Sequence, residues 1–212
     1  MDNRQCTIHP CIRADGKQCM PLFIIFKGLG NISQAEKDFL DALPNVRWAF
    51  QKHAWANEAY SKMWLRSFCD TVQKEDPGNH LLFLDDLSAQ QTKSCKDIAI
   101  NAGVFPFPIP GGTTEICQPI DRGVAELLKR IMADLYKVEL ELNYDAWRNF
   151  KSNKSLSESA RRMLMAEWVS EAWTFVMEQR QFLHRVCEKS VLITKDGAHR
   201  LSVPTQPDYS PF

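Results

Sequence analysis

Residues 81–90, LLFLDDLSAQ, constrain this chain more than any other stretch. Four consecutive apolar residues run straight into two carboxylates, Asp85 and Asp86, and then into small polar residues. A short continuous apolar run reads as a strand buried in a parallel sheet, because a strand covered on both faces does not need to alternate. The acids then stand at its carboxyl end, the end at which open α/β sheets gather ligands. A second acid, Asp121, follows 36 positions later (121 − 85), where the loop in TTEICQPIDRGVAELLKR turns into a helix. Asp85 and Asp121 are read as sharing one divalent-metal site.

The rest of the chain fits an α/β order. Residues 6–13 (CTIHPCIR) and 20–26 (MPLFIIF) flank Ala14-Asp15-Gly16-Lys17, and an Asp-Gly pair between two strand-like runs predicts an antiparallel hairpin. Ser33, with Glu36 three residues later, caps a short helix to Leu40, and residues 46–50 make a short strand. Asn57 caps a helix to about Gln73 with Ala59, Met63, Trp64, Phe68 and Val72 on one side. A helix over 92–102 stops at Gly103. The run 104–109 carries Pro106 and Pro108, which confine it to a sheet edge. A long helix is predicted from Pro119 or Ile120 to Leu140, with Pro119 in the first turn where no amide donor is lost. Ser155 and Glu158 make a capping box for further helix, striped by Ala160, Leu164, Trp168, Ala172, Val176, Leu183 and Val186. Two parts result: residues 1–142, α/β, and residues 143–212, a helical extension with a proline-rich tail.

Composition limits the partners. Lysine plus arginine equals aspartate plus glutamate at 26 each, so nucleic-acid contact has to come from local patches and not from global charge. Arg122, Lys129 and Arg130 form one patch, Arg148, Lys151 and Lys154 another, and Arg161 with Arg162 a third; each alone reads equally as a solvated face. Seven scattered cysteines without a CxxC read as reduced thiols of a cytosolic or nuclear protein. No segment approaches a membrane span, and the N-terminal MDNRQCTIHP lacks an apolar targeting core. Cys6, His9, Cys11 and Cys19 invite a zinc reading, yet Cys6 and Cys11 fall on opposite sides of a regular strand. The remaining histidines have no Ser or Cys partner motif for covalent catalysis. Trp55 reads as a packing anchor in preference to a base-stacking platform.

Three blocks carry a family resemblance. TIHPCIRADGKQCMPLFIIFKGLG (residues 7–30) resembles the second and third strands of the DDE superfamily endonuclease domain, the catalytic domain of pogo-, Tigger- and jerky-type transposases and of centromere protein B. LLFLDDLSAQ is similar to that family's second catalytic block, and TTEICQPIDRGVAELLK (residues 113–129) to its third. The resemblance implies a ribonuclease H-like α/β fold, a mixed sheet flanked by helices, with a C-terminal helical extension. It implies Asp85 and Asp121 as catalytic acids and ligands of Mg²⁺ or Mn²⁺. It implies that Thr113, Thr114 and Gln118 position metal ligands or a DNA phosphate and that Lys129 reaches a phosphate; Arg122, from the basic patch, joins them as a candidate nucleic-acid contact. Asp86 stands where the family usually carries Asn and reads as facing solvent.

DNA is the implied partner, in the nucleus, with a homo-oligomer allowed and neither a membrane nor a small-molecule substrate. The ancestral reaction is metal-dependent phosphodiester cleavage and strand transfer. In that family the first catalytic acid lies on the strand before the opening hairpin. Here Asp2 is the only acid before Cys6 and lies too close to Thr7 to belong to such a strand. The reading therefore expects a domain truncated before its first acid, with cleavage impaired. The alternative is a non-catalytic DNA- or protein-binding module that keeps the fold.

Overall fold

The computed structural model describes residues 6–17, 20–85, 87–148 and 156–190. Strand β1 (Cys6–His9) ends at Pro10, which has no amide to donate. The chain turns back through Gly16 at φ +72°, whose amide donates to Arg13 O at 3.1 Å. Strand β2 (Leu22–Lys27) returns antiparallel, Cys6 opposite Phe26 and His9 opposite Phe23. The expected hairpin forms with shorter strands and a longer connection.

Helix α1 (Gln34–Ala42) starts at Ser33, whose hydroxyl accepts from Glu36 N at 3.2 Å. Strand β3 (Val46–Gln51) then pairs with β2 in parallel, Val46 opposite Leu22. Asn57 caps helix α2 (Glu58–Glu75) by accepting from Tyr60 N at 2.9 Å. Strand β4 (His80–Leu84) and helix α3 (Lys93–Asn101), capped by Thr92, lead through Gly103 at φ +71° into strand β5 (Val104–Pro108). Strands β4 and β5 run parallel, His80 opposite Val104, as a separate two-stranded sheet beside the β1-β2-β3 sheet. Six further helical elements complete the described chain: α4 (Thr114–Cys117), a π-helical turn (Ile120–Val124), α5 (Ala125–Leu142), α6 (Tyr144–Arg148), α7 (Glu158–Glu178) and α8 (Arg180–Lys189). The whole is a mixed α/β, ribonuclease H-like fold with C-terminal helices.

Alternation along β2 divides the core. Phe23 and Ile25 join Tyr60, Trp64, Phe68, Leu82, Leu84 and Val104 on one side. Leu22, Ile24 and Phe26 join Val124, Leu128, Val169, Trp173 and Leu183 on the other. Each of these β2 side chains is buried, and full burial of one is worth about 2 kcal/mol.

Several expectations are corrected. Strand β4 is covered on one face only: Leu82 and Leu84 are buried, but Leu81, Phe105 and Phe107 are 37%, 46% and 37% exposed. The apolar run persists because its outer residues pair across the strands, with the Phe83 and Phe107 rings 5.6 Å apart. Ala59 and Met63 point outward from α2, whose buried side carries Tyr60, Ser61, Leu65 and Cys69 as well as Trp64, Phe68 and Val72. Trp55 is 51% exposed and is no buried anchor. The long helix expected from Pro119 or Ile120 is interrupted at Gly123. The C-terminal stripe is two helices parted at Gln179, and the cap is Ser157, which accepts from Ala160 N at 3.1 Å. Cys19, Asp86, Lys151, Lys154, Ser155 and the proline-rich tail lie outside the described residues.

One ion pair ties the C-terminal helices to the sheet. Glu36, 2% exposed, accepts from Arg162 Nε at 2.6 Å, Arg162 Nη2 at 3.0 Å and Ser159 Oγ at 2.5 Å. The bonded Arg162 guanidinium holds the Glu36 carboxyl below its ordinary range, overcoming the opposing effect of burial, and Ser159 adds to this. Removing one partner strands a buried charge, whereas removing both need not. Arg162→Met is expected to cost about 3 kcal/mol by urea denaturation, and Glu36→Leu/Arg162→Met to recover most of that loss.

His9 carries a pH signature. Its ring stacks on Trp64 at 4.6 Å and its Nδ1 lies 3.0 Å from Tyr60 Oη. Burial lowers its pKa from 6.5 to about 4. A depressed histidine pKa means that the unfolded chain takes up the proton first, so its contribution is intact above pH 6.5 and is lost as pH falls towards 4. Native chain is expected to lose about 2 kcal/mol more than His9→Gln across that window, allowing for the part of the ring that still meets solvent. Denaturation midpoints at each pH check it.

Candidate functional site

The first acid is set by the end of β4. Leu84 O accepts from Ile109 N at 2.7 Å, extending the ladder one residue past β5, and Asp85 O accepts from Leu87 N at 2.7 Å to close a tight turn. Asp85 is thereby presented at the strand's carboxyl end with its residue surface exposed.

The second acid comes from the opposite layer. Thr113 O accepts from Ile116 N and Cys117 N at 2.9 and 2.8 Å, which winds α4. Gln118 O then accepts from both Asp121 N and Arg122 N at 3.1 Å, which winds the π turn. Pro119 and Val124 are buried while Asp121 and Arg122 are exposed, so the turn is anchored at its ends and open in its middle.

The Asp85 charge reaches Asp121. Partial desolvation raises the Asp121 pKa, the negative charge of Asp85 raises it further, and Lys129 pulls it back without cancelling them. A pair of mutually repelling carboxylates is what a divalent cation relieves, and Mg²⁺ is ordinarily held by one or two carboxylates with waters completing its shell. The hard oxygen donors of Asp85 and Asp121 fit Mg²⁺ or Mn²⁺. No third histidine, cysteine, aspartate or glutamate joins them as a metal-holding group among the described residues. Asp2 and Asp86 lie outside those residues.

The other expected site residues divide. Lys129 is exposed, and its charge reaches Asp121. Thr113 Oγ1 donates to Pro110 O at 2.7 Å and so serves its own loop. The side chain of Thr114 lies outside the described ones. Gln118 Oε1 is buried and accepts no hydrogen bond among the described residues. Arg122 Nη1 donates to Ile116 O at 2.9 Å and to Lys189 O at 2.7 Å. In the third basic patch, Arg162 is held by Glu36, and Arg161 lies 5.6 Å over the Trp147 ring.

Among the described residues no group of three metal-holding side chains forms at the hairpin, and His9 turns to Tyr60 and Trp64; Cys19 lies outside those residues. Sequence reasoning missed the kink at Gly123. Its signal was a lone glycine two residues after the acid, inside an otherwise helical pattern.

The chain matches the DDE superfamily endonuclease family over residues 3–184. It belongs to that family. Neither a curated protein nor a solved structure matches it. The DDE match runs from the hairpin through α7 and into α8, so it includes helices that bury Leu22, Ile24 and Phe26 as well as both acid-bearing blocks.

The electrostatics of this DDE endonuclease domain can be read directly. Asp85→Asn is expected to lower the Asp121 pKa, leaving the desolvation effect in place, and Lys129→Met to raise it. Carboxyl-carbon NMR titration of Asp121 checks both directions.

Proposed function

We propose that this chain is a transposase-derived DDE endonuclease-like domain, of the pogo, Tigger and jerky kind, that acts on DNA in the nucleus. In this reading Asp85 and Asp121 hold a Mg²⁺ or Mn²⁺ ion. The observation that carries it is the placement of two acids 36 positions apart (121 − 85), one at a strand's carboxyl end and one in a helix-initiating turn, with the Asp85 charge reaching Asp121. Family membership supplies the reaction class, phosphodiester cleavage.

A bound divalent ion would polarise the scissile phosphate and activate the attacking hydroxyl. The protein's own groups do the rest. Asp85 and Asp121 fix where positive charge can sit, and Lys129, within electrostatic reach of Asp121, attracts a backbone phosphate. Arg130 extends that positive face along α5. With 26 charges of each sign, binding rests on this local face, so few phosphates are neutralised and the salt dependence is shallow.

Two carboxylates are a sparse set for two-metal hydrolysis, and no third donor joins them among the described residues. That favours weak or absent cleavage by this chain and keeps open a second reading, a non-catalytic DNA-binding module. Plasmid nicking in Mn²⁺, run beside duplex binding, separates the two. The expected result is duplex binding with a shallow salt dependence and nicking near background. Robust nicking abolished by Asp121→Ala establishes an active nuclease. Binding that survives Asp85→Ala without any Mn²⁺ uptake establishes the module.

A further inference from the structure

The turn that presents Asp121 is not held by its own helix. Gly123 takes φ +149°, ψ −27° inside it, which breaks the helical hydrogen-bond run, and no side chain caps the turn. A π-type turn closed around one left-handed residue needs external support to keep a single geometry.

Helix α8 supplies that support from two directions. A Cβ on Gly123 would stand 3.3 Å from Phe182 Cζ and 3.8 Å from Val186 Cγ2, so the bare glycine backbone lies directly under α8. On the other side, the single nitrogen Nη1 of Arg122 donates to Ile116 O at 2.9 Å and to Lys189 O at 2.7 Å. Lys189 O belongs to the last turn of α8, where carbonyls lack intrahelical partners and the helix end is negative. A guanidinium suits that end and stays charged at every working pH. One side chain therefore joins α4, the acid-bearing turn and the end of α8.

We propose that Arg122 is a positioning residue for Asp121: clamped between α4 and the carboxyl end of α8, it fixes the turn that presents the Asp121 carboxylate. This rests on the metal-site reading proposed above. It gives the C-terminal helices a role in the site although none of their side chains is assigned to it. It also uses Arg122 differently from a DNA contact, since the nitrogen that does the positioning faces protein carbonyls.

The sign of the effect separates positioning from simple electrostatics. Arg122 is a cation beside a cation site, so its removal should tighten Mn²⁺ binding if charge alone mattered. A positioning role gives the opposite sign. Mn²⁺ titrations of the full chain, followed by electron paramagnetic resonance, read this without any turnover. Circular dichroism melts confirm that each variant is folded.

Native chain is expected to bind Mn²⁺, and Asp121→Asn to lose it. Arg122→Met should bind about tenfold more weakly, the usual scale for losing an outer-shell partner, with Arg122→Lys recovering part of the loss because one ammonium can serve two carbonyls. Phe182→Ala, which changes no charge, should weaken binding in the same direction and decides the matter if Arg122→Met does not fold. Equal or tighter binding in folded Arg122→Met, or unaltered binding in Phe182→Ala, overturns the positioning role while leaving the ion site standing. A native chain that takes up no Mn²⁺ overturns the ion site itself, and this proposal with it.

Discussion

The fold depends on β2 being buried on both faces. Leu22, Phe23, Ile24, Ile25 and Phe26 are each 4% exposed or less, and their alternation sends neighbours into two separate clusters. One cluster carries α2, α3, β4 and β5; the other carries the π turn and α5, α7 and α8. The two candidate ligands come one from each: Asp85 follows Leu84 of the first cluster, and Asp121 precedes Val124 of the second. How the two acids stand to one another therefore depends on the layers packed against β2. A methylene lost from Ile24 or Ile25 would act on the site through packing, since close-packed interiors transmit such changes.

The acids of this chain fall into two kinds, distinguished by what they face. Glu36 is deeply buried yet held below its ordinary range, because a guanidinium stands 2.6 Å away and a serine hydroxyl completes its bonding. Asp121 is more open to solvent yet held above its ordinary range, because partial desolvation and a second carboxylate outweigh Lys129. Burial alone would order them the other way. A satisfied acid is structural, and an acid whose charge is opposed by its neighbours is poised for a ligand the protein does not itself supply.

Much of this was legible in the sequence because it rests on local chemistry. Ser33 and Asn57 cap helices where their side chains can reach the first amides, and Gly103 stops a helix where only a glycine tolerates a positive φ without strain. The acid at the end of LLFL and the acid after Gln-Pro-Ile were legible for the same reason, as apolar run and turn chemistry are written in consecutive residues. What the sequence concealed was tertiary. A run such as LLFL looks alike whether helices cover both faces or cross-strand partners such as Phe105 and Phe107 cover one. An arginine looks alike on a solvated face, over a ring as Arg161 is, or locked on a glutamate 126 positions away as Arg162 is.

The π turn shows why this last class of feature resists a periodic reading. Its two core-facing residues, Ile120 and Val124, are four apart and satisfy a helical pattern, so the eye continues the helix through Gly123. A regular helix there would need Gly123 at negative φ, and the turn would then rotate Asp121 and Arg122 relative to α5. The left-handed glycine resets the direction. It lets α5 keep Leu128 in the core while Asp121 and Arg122 remain outside. That reset needs a backbone conformation that L side chains rarely adopt, and a Cβ there would also stand 3.3 Å from Phe182 Cζ of α8, closer than ordinary contact. Glycine at this position and α8 above it are thus two halves of one constraint. The helix that closes the described chain is, through this constraint, part of what decides where the second candidate ligand points.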